Sequence, residues 1–152
     1  MKKTVFALIT LLSVTIASCQ SNAEAQIRAT LTNYIEGSSY NRVDQIKKAF
    51  ASNATLYLTN KDGDFKTYTP EEYSGFFKNR EPGKFNGRVG KILAIKIDKD
   101  IATARAEIVI PEKKSRYIDL FLLKHIEGEG WKIISKTAAA SDYSVYEKRD
   151  KK

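Results

Sequence analysis

Four strand-like segments separated by short turns fill the C-terminal half of the chain, and they constrain its fold more than any other feature. The segments run from Phe85 to Ile97, Ile101 to Ile110, Tyr117 to Ile126 and Trp131 to Ala139. Parallel neighbours in a sheet need crossover connections of about a dozen residues or more, whereas antiparallel neighbours need only a tight turn. The sequence therefore predicts an antiparallel meander of three or four strands.

Helical patterns precede this meander. Apolar residues recur at helical spacing in the set Ile27, Leu31, Tyr34 and Ile35, which is the stripe of an amphipathic helix. The run Gly37-Ser38-Ser39 is predicted to weaken this helix. Asn41, with Asp44 three residues later, is predicted to cap a second helix whose apolar face continues to Phe50.

A hairpin and a short helix link the two halves. Residues 55–59 and 65–68 are predicted strands on either side of Asn60-Lys61-Asp62-Gly63, which has hairpin chemistry. Thr69 can cap a helix, Pro70 fits its first position and Glu72 completes a capping box. The order of elements predicts an α+β fold, in which a curved antiparallel sheet wraps over a long N-terminal helix and a short second helix as an open cone.

Length and composition limit the classes of function. The chain has 152 residues, a formal charge of +8, one Cys and one His, and this length indicates one domain. A single Cys and a single His exclude a disulfide framework and a Cys/His zinc cluster, and the chain has no phosphate-binding glycine loop. Lys and Arg are spread along the chain, which disfavours nucleic-acid binding. No metal, cofactor or nucleic-acid partner is predicted.

The N-terminus resembles an export signal. Lys2 and Lys3 precede an apolar stretch from Val5 to Ile16, which is too short to cross a bilayer because crossing takes about 20 residues. The stretch ends in Ile16-Ala17-Ser18-Cys19, which is similar to the bacterial lipoprotein signal, in which the cysteine is lipidated. An ordinary cleaved signal peptide with an incidental Cys19 is the alternative.

The lipoprotein interpretation predicts the localisation of the protein and its domain boundaries. Lipidated Cys19 would hold the protein at a membrane of the cell envelope. Gln20 stands where many lipoproteins of the Gram-negative inner membrane have Asp, which favours the outer membrane, facing the periplasm. The predicted plan is a signal peptide over 1–18, a tether over 19–24, a folded domain over 25–140 and a polar basic tail over 141–152.

The last two predicted strands carry a family resemblance. The segment from Tyr117 to Lys136, with its Gly128-Glu129-Gly130-Trp131 turn, resembles the closing hairpin of the nuclear transport factor 2-like superfamily, and most of all its branch described as lumazine-binding. Supporting matches are Tyr73, Gly90-Lys91-Ile92 and the Ala102, Ala104 and Ala106 strand. The resemblance implies the cone fold over residues 25–140. Because the superfamily includes isomerases, dehydratases, transport adaptors and members without a known activity, it does not fix a function.

Candidate catalytic residues lie on the strand that begins at Tyr117. Alternation places Tyr117 and Asp119 on one face. If that face lines the cone, they form a carboxylic acid and phenol pair in an apolar pocket, which suits stabilisation of an enol or an oxyanion. Alternatively, Asp119 is exposed or bonded to Arg105 or to a lysine. Apolar residues occur on both faces of this strand, so both faces of the sheet are predicted to be covered. Helices would cover one face, and the second subunit of a homodimer would cover the other.

Aromatic residues are candidates for a pocket that binds a small apolar or aromatic ligand, although aromatic residues at such spacing also form cores. The predicted ligand-binding set is Tyr34, Tyr57, Phe76, Phe77, Tyr117, Asp119 and Phe121. His125 is predicted at the rim of the sheet, and Trp131 in the core.

Two functions remain open from the sequence. One is a lipid-anchored ligand-binding or scaffolding domain without catalysis. The other is an isomerase- or dehydratase-type enzyme that uses Asp119 as its acid or base, with Tyr117 as a hydrogen-bond donor. A second buried ionisable group beside Asp119 would favour the enzyme, and the sequence does not show one.

Overall fold

The computed structural model describes residues 22–60 and 62–150 of the chain. Its helices are α1 over residues 22–39, α2 (Val43–Ala49), α3 (Pro70–Gly75) and α4 (Ser144–Asp150), with one 3₁₀ turn (Pro111–Lys113). Its strands are β1 (Phe50–Thr59), β2 (Phe65–Tyr68), β3 (Val89–Asp98), β4 (Ile101–Ile110), β5 (Ser115–Ile126) and β6 (Gly130–Ser141). The predicted lipidation site, Cys19, lies outside the described residues. Residues 22–24, predicted as part of a tether, belong to α1.

All six strands form one sheet in the order β2-β1-β6-β5-β4-β3. Strands β3 to β6 pair antiparallel with their chain neighbours, so the predicted meander is confirmed. Strand β1 pairs parallel with β6, which brings the N-terminal hairpin of β1 and β2 beside the last strand. The α+β class and the curved sheet over a long N-terminal helix are those predicted from the sequence.

The core lies between α1 and the face of the sheet that packs on it, called the inner face. Ile27, Leu31 and Tyr34 of the predicted stripe are fully buried. The Thr30 hydroxyl of α1 donates to the carbonyl oxygen of Trp131 at 2.8 Å, which ties the helix to the start of β6. Trp131 is buried in the core cluster, as predicted.

The junction of α1 and α2 differs from the prediction. Gly37 does not weaken α1, which runs through residue 39; a Cβ at Gly37 would lie 2.8 Å from Cγ1 of Ile46, so the glycine lets the two helices approach closely. Asn41 is not a cap, because Arg42 occupies the N-cap position of α2. Asn41 instead adopts a left-handed backbone (φ 55), and its amide donates to the carbonyl oxygens of Glu81 and Lys84 at 3.0 and 2.9 Å.

The start of α3 follows its sequence pattern. The Thr69 hydroxyl accepts from the Glu72 backbone N–H at 3.2 Å, and the Glu72 carboxylate accepts from the Thr69 N–H at 2.7 Å. This reciprocal capping box satisfies two donors that the first helical turn leaves free. The next strand begins later than predicted, at Val89 rather than Phe85. The intervening loop is held to α1 and α2 by Asn41 and by Asn86, whose amide donates to the Ser38 carbonyl at 2.7 Å.

The opposite, outer face of the sheet is partly covered by α4, which the sequence did not predict because residues 141–152 are polar. Arg149 of α4 pairs with Glu107 of β4, and the Arg116 Nε donates to the same carboxylate at 2.7 Å. The Glu107 side chain is only 3% exposed. Leu120 and Leu122 remain exposed on this face, and homodimerisation through it stays a prediction. None of the helices in the described ranges is long and apolar enough to cross a membrane.

Candidate functional site

A cavity of about 640 Å³ opens at the end of the cone where α1 and α3 meet the sheet. Its lining mixes tyrosines, small and branched apolar residues, two neutral polar residues and three charged residues: Tyr34, Leu58, Thr59, Asn60, Tyr73, Arg88, Ile108, Tyr117, Asp119, Lys136, Ala138, Ala139 and Ala140. The volume falls within the range of about 300–1,000 Å³ that is usual for small-molecule sites.

A β-bulge in β6 turns Lys136 into this cavity. Leu123 of β5 pairs with Ile133 while Leu122 pairs with Ser135, so one extra residue, Ile134, interrupts the register. Before the bulge the inward residues of β6 are odd-numbered, as Ile133 is; after it they are even-numbered, and Lys136 is 2% exposed. Bulges re-aim side chains in this way beside functional sites.

Lys136 meets a carboxylate on the neighbouring strand. Its Nζ lies 3.1 Å from Oδ2 of Asp119, and both side chains are almost fully buried. The same oxygen accepts a hydrogen bond from the Tyr34 hydroxyl at 2.6 Å, and the Tyr34 and Tyr73 hydroxyls lie 3.0 Å apart. Lys136 also lies 5.5 Å from the ring centre of Tyr34 and 5.6 Å from that of Tyr73, within cation–π range.

The direction of these hydrogen bonds follows from the proton count. A phenol has one hydrogen, and an ionised carboxylate only accepts. Tyr34 therefore donates to Asp119 and accepts from Tyr73. Burial, and then the charge of Asp119, raise the pKa of Tyr34 well above its ordinary value, so this hydroxyl keeps its proton. The second carboxylate oxygen of Asp119 accepts no hydrogen bond from the described residues.

Arg88 is the third charged residue of the cavity. Its guanidinium carbon lies 5.8 Å from the ring centre of Phe77, and its Nε is buried without a hydrogen-bond partner, the one such side-chain nitrogen or oxygen in the described part of the chain. Burial acts to lower the pKa of Arg88, but Tyr73, Tyr34 and Asp119 outweigh it, so the pKa is raised and Arg88 remains a cation.

Arg88 also lines a second, more open cavity of about 600 Å³ between α1 and β3. Tyr40 and Phe85, whose ring centres lie 5.6 Å apart, form one wall. The exposed Glu36 and Arg28 of α1 also line it. Arg88 therefore stands between the two cavities. Residues 22–60 and 62–150 contain no cluster of three or more side chains able to hold a metal ion.

The structure brings together three of the predicted site residues. Tyr34, Tyr117 and Asp119 line the first cavity. The predicted pairing of Asp119 with Tyr117 is not formed, because the phenol that donates to Asp119 is Tyr34. Of the alternatives for Asp119, bonding to a lysine is the one observed, while Arg105 lies exposed on the outer face.

The other four predicted ligand-binding residues lie away from the cavity lining. Phe121 and Phe77 are buried in the core, where Phe121 packs edge-on against the Tyr34 ring at 5.2 Å. Tyr57 points to the opposite side of β1 from Leu56 and stacks on Phe65. Phe76, at the C-terminus of α3, is exposed.

Lys136 and Arg88 are the site residues that sequence reasoning missed. Simple alternation from Trp131 places Lys136 on the outer face, and only the consecutive apolar residues Ile133 and Ile134 hint at a break in alternation. Arg88 falls inside the strand predicted from Phe85 to Ile97, but it lies in the loop before β3, where strand alternation gives no direction for its side chain.

Comparison with solved structures defines the class of this fold. A nuclear transport factor 2-like protein of unknown function from Shewanella baltica has 23% identity and a TM-score of 0.68 over 80% of this chain and 95% of its own. Another such protein, from Silicibacter pomeroyi, has 16% identity and a TM-score of 0.70 over 80% and 98%. A ketosteroid isomerase-like protein from Erwinia carotovora atroseptica has 12% identity and a TM-score of 0.56 over 76% and 94%. The chain thus has the nuclear transport factor 2-like fold predicted from its sequence.

A family model narrows this class. The model of the family described as "putative lumazine-binding" matches residues 22–138, so the chain belongs to that family. No curated protein matches the sequence.

Proposed function

We propose that this protein binds a small ligand in the cavity at the open end of the cone, as an exported domain anchored at the cell envelope. The observation that supports the binding function best is the buried Asp119–Lys136 pair at the cavity floor. Taking two charges out of water costs several kcal/mol per ion. Replacing such a pair with apolar residues is often neutral or stabilising, so stability alone gives no reason for it.

The rest of the cavity suits a flat ligand. Leu58, Ile108 and Ala138 supply apolar contact, and the rings of Tyr34 and Tyr73 are stacked 6.1 Å apart at its wall. A few polar groups in a mainly apolar site fix the orientation of a ligand. The family's description makes lumazine, a flat bicyclic heteroaromatic compound, the first probe to use.

Calorimetric titration with lumazine tests the binding function with a matched pair of variants. Ala138→Trp places an indole in the cavity, whereas Thr137→Trp places the same group on the exposed outer side of β6. We expect lumazine to bind the wild type and Thr137→Trp, and binding to Ala138→Trp to fall at least about tenfold. Equal binding to both variants would place the ligand elsewhere, and no binding to the wild type would rule out lumazine.

The enzyme remains a second candidate because the structure supplies the missing feature, a buried ionisable group beside Asp119. The unbonded oxygen of Asp119 could accept a proton from a carbon next to a ketone. Solvent exchange of the α-protons of 2-tetralone in D₂O, followed by NMR, tests this function. Catalysed exchange that disappears in Asp119→Asn would support an enzyme, and exchange at the uncatalysed rate with the wild type would argue for binding alone.

The membrane anchor is proposed from the signal-like N-terminus and the sole cysteine, Cys19. Acylation at that thiol would hold the domain at a bilayer, in our proposal the outer membrane facing the periplasm, without a spanning segment. Cys19→Ser should abolish labelling by a fatty-acid analogue in cells, because the chain has no other thiol. Labelling that persists in the variant would refute the anchor.

A further inference from the structure

We propose that the ligand of this cavity is a small organic carboxylate whose charged group is held by Arg88 and Lys136; the inference rests on the proposed binding function. Three properties of the site carry it: its charge, the hydrogen-bonding groups that remain free in it, and the apolar character of its other walls.

The charge of the cavity is not balanced. Of the residues that line it, Arg88 and Lys136 are cations and Asp119 is the only anion. Asp119 is paired with Lys136 at 3.1 Å. No described residue forms an ion pair with Arg88, although the exposed Glu36 lines the neighbouring cavity. Arg88 is only partly exposed, and its Nε is buried without a hydrogen-bond partner. An unpaired buried donor is costly, and a ligand anion would pair with the guanidinium that carries it.

The free hydrogen-bonding groups are mainly donors. The Tyr73 hydroxyl donates to Tyr34 and the Tyr34 hydroxyl donates to Asp119, so neither has a hydrogen left for a ligand. No hydrogen bond from the described residues engages the Arg88 side chain, and because its Nε is shielded from solvent, a ligand in the cavity would meet its terminal NH₂ groups. Lys136 has one carboxylate partner for its three N–H groups, and no hydrogen bond from the described residues engages the Tyr117 hydroxyl. Donors on a guanidinium and an ammonium match carboxylate oxygens, and a guanidinium can bind both oxygens at once.

Apolar walls complete the recognition surface. Leu58, Ile108 and Ala140 line the same cavity as the cations. They favour an anion attached to an apolar body over a fully hydrated inorganic ion, because contact with such a body removes apolar surface from water on both sides. The Phe77 ring beneath Arg88 holds the guanidinium by a cation–π contact, which leaves the N–H groups of the guanidinium free to donate hydrogen bonds.

The test compares two probes of one shape, 2-naphthoate and its neutral amide 2-naphthamide, by calorimetric titration. The wild type should bind the carboxylate at least about tenfold more tightly than the amide, since hydrogen bonds to charged groups are the strong ones. Arg88→Met should weaken binding of the carboxylate more than binding of the amide and so reduce this preference, because it removes one of the two cations proposed to hold the charged group. Arg80→Met is the matched control, because Arg80 also stacks on Phe77, at 5.7 Å, but is exposed and lines neither cavity; it should keep the preference.

A second readout does not depend on how well Arg88→Met folds. The Nε–H resonance of Arg88 in the wild type should shift on addition of 2-naphthoate and stay in place with 2-naphthamide. Equal affinity for the two probes, or no shift of this resonance with the carboxylate, would overturn the carboxylate site and leave the binding function standing. If neither probe nor lumazine binds the wild type, the binding function fails and the carboxylate site with it.

Discussion

Replacing Lys136 with Met isolates the energetic role of the buried ion pair. The variant keeps an unbranched side chain in place but leaves the Asp119 carboxylate buried with one remaining donor, Tyr34. At 3.1 Å, the attraction between the two charges is about 5 kcal/mol for an effective dielectric constant of about 20. Because the Tyr34 hydrogen bond persists, we expect a loss of about 3–5 kcal/mol in the free energy of unfolding, as is usual when one partner of a buried pair is removed.

Denaturant unfolding followed by tryptophan fluorescence measures this loss directly. Trp131 is the only tryptophan of the chain and is buried, so its emission reports on the packed core. Lys124→Met is the matched control, since Lys124 pairs with Asp100 at the exposed end of β5. That surface pair should contribute less than about 1 kcal/mol.

The double variant Asp119→Asn/Lys136→Met separates loss of the pair from loss of packing. Without a charge at either position, the desolvation penalty disappears, and the double variant should recover about 2–3 kcal/mol relative to Lys136→Met alone. If Lys136→Met costs no more than Lys124→Met, or if the double variant recovers nothing, the pair does not have the energetic role that its burial indicates.

Two further outcomes follow from packing and from protonation. Gly90→Ala should destabilise the fold by about 1–3 kcal/mol, because the added Cβ would lie 2.5 Å from Cγ2 of Ile35. Gly75→Ala is the control and should be neutral or stabilising, because a Cβ at that position meets no atom within 4 Å. Equal denaturation midpoints for the two variants would refute the close approach at Gly90. Burial acts to raise the pKa of Glu107, but hydrogen bonds from its two arginine partners outweigh it and hold the pKa below the ordinary 4.5. The stability that the ionised form contributes is therefore present above that pH and lost as pH falls through the lower folded value. The stability advantage of the wild type over Glu107→Gln should shrink between about pH 5 and pH 3 in denaturant titrations, and a constant difference would contradict it.

Local signals predicted most of the fold. The capping box at Thr69 and Glu72 fixed the start of α3, and the short turns fixed the antiparallel order of β3 to β6, because both depend on neighbours in sequence. The parallel pairing of β1 with β6 was not predicted, since it joins residues about eighty positions apart and no local pattern records such a contact. The role of Asn41 was missed for the same reason, as its amide bonds a loop some forty residues away.

The site was harder to predict than the fold, because its geometry depends on one irregularity. Alternation placed Asp119 correctly on the inner face of β5, where the register is continuous. The same rule fails for Lys136, because the extra residue Ile134 reverses which side chains of β6 face inward. A single inserted residue thus converts what would be an outward lysine into the buried partner of Asp119.

The position of Tyr34 shows how the core and the site depend on each other. Its ring packs edge-on against Phe50 and Phe121 at 5.9 and 5.2 Å, which holds α1 to the sheet. Its hydroxyl reaches Asp119 at the cavity floor. The ring contacts stabilise the fold, whereas the hydroxyl fixes the position of the Asp119 carboxylate by donating a hydrogen bond to its Oδ2. Because that carboxylate stays bonded to Tyr34 and Lys136, it acts on Arg88 only through its charge and forms no ion pair with it, so the guanidinium has no hydrogen-bonded carboxylate among the described residues.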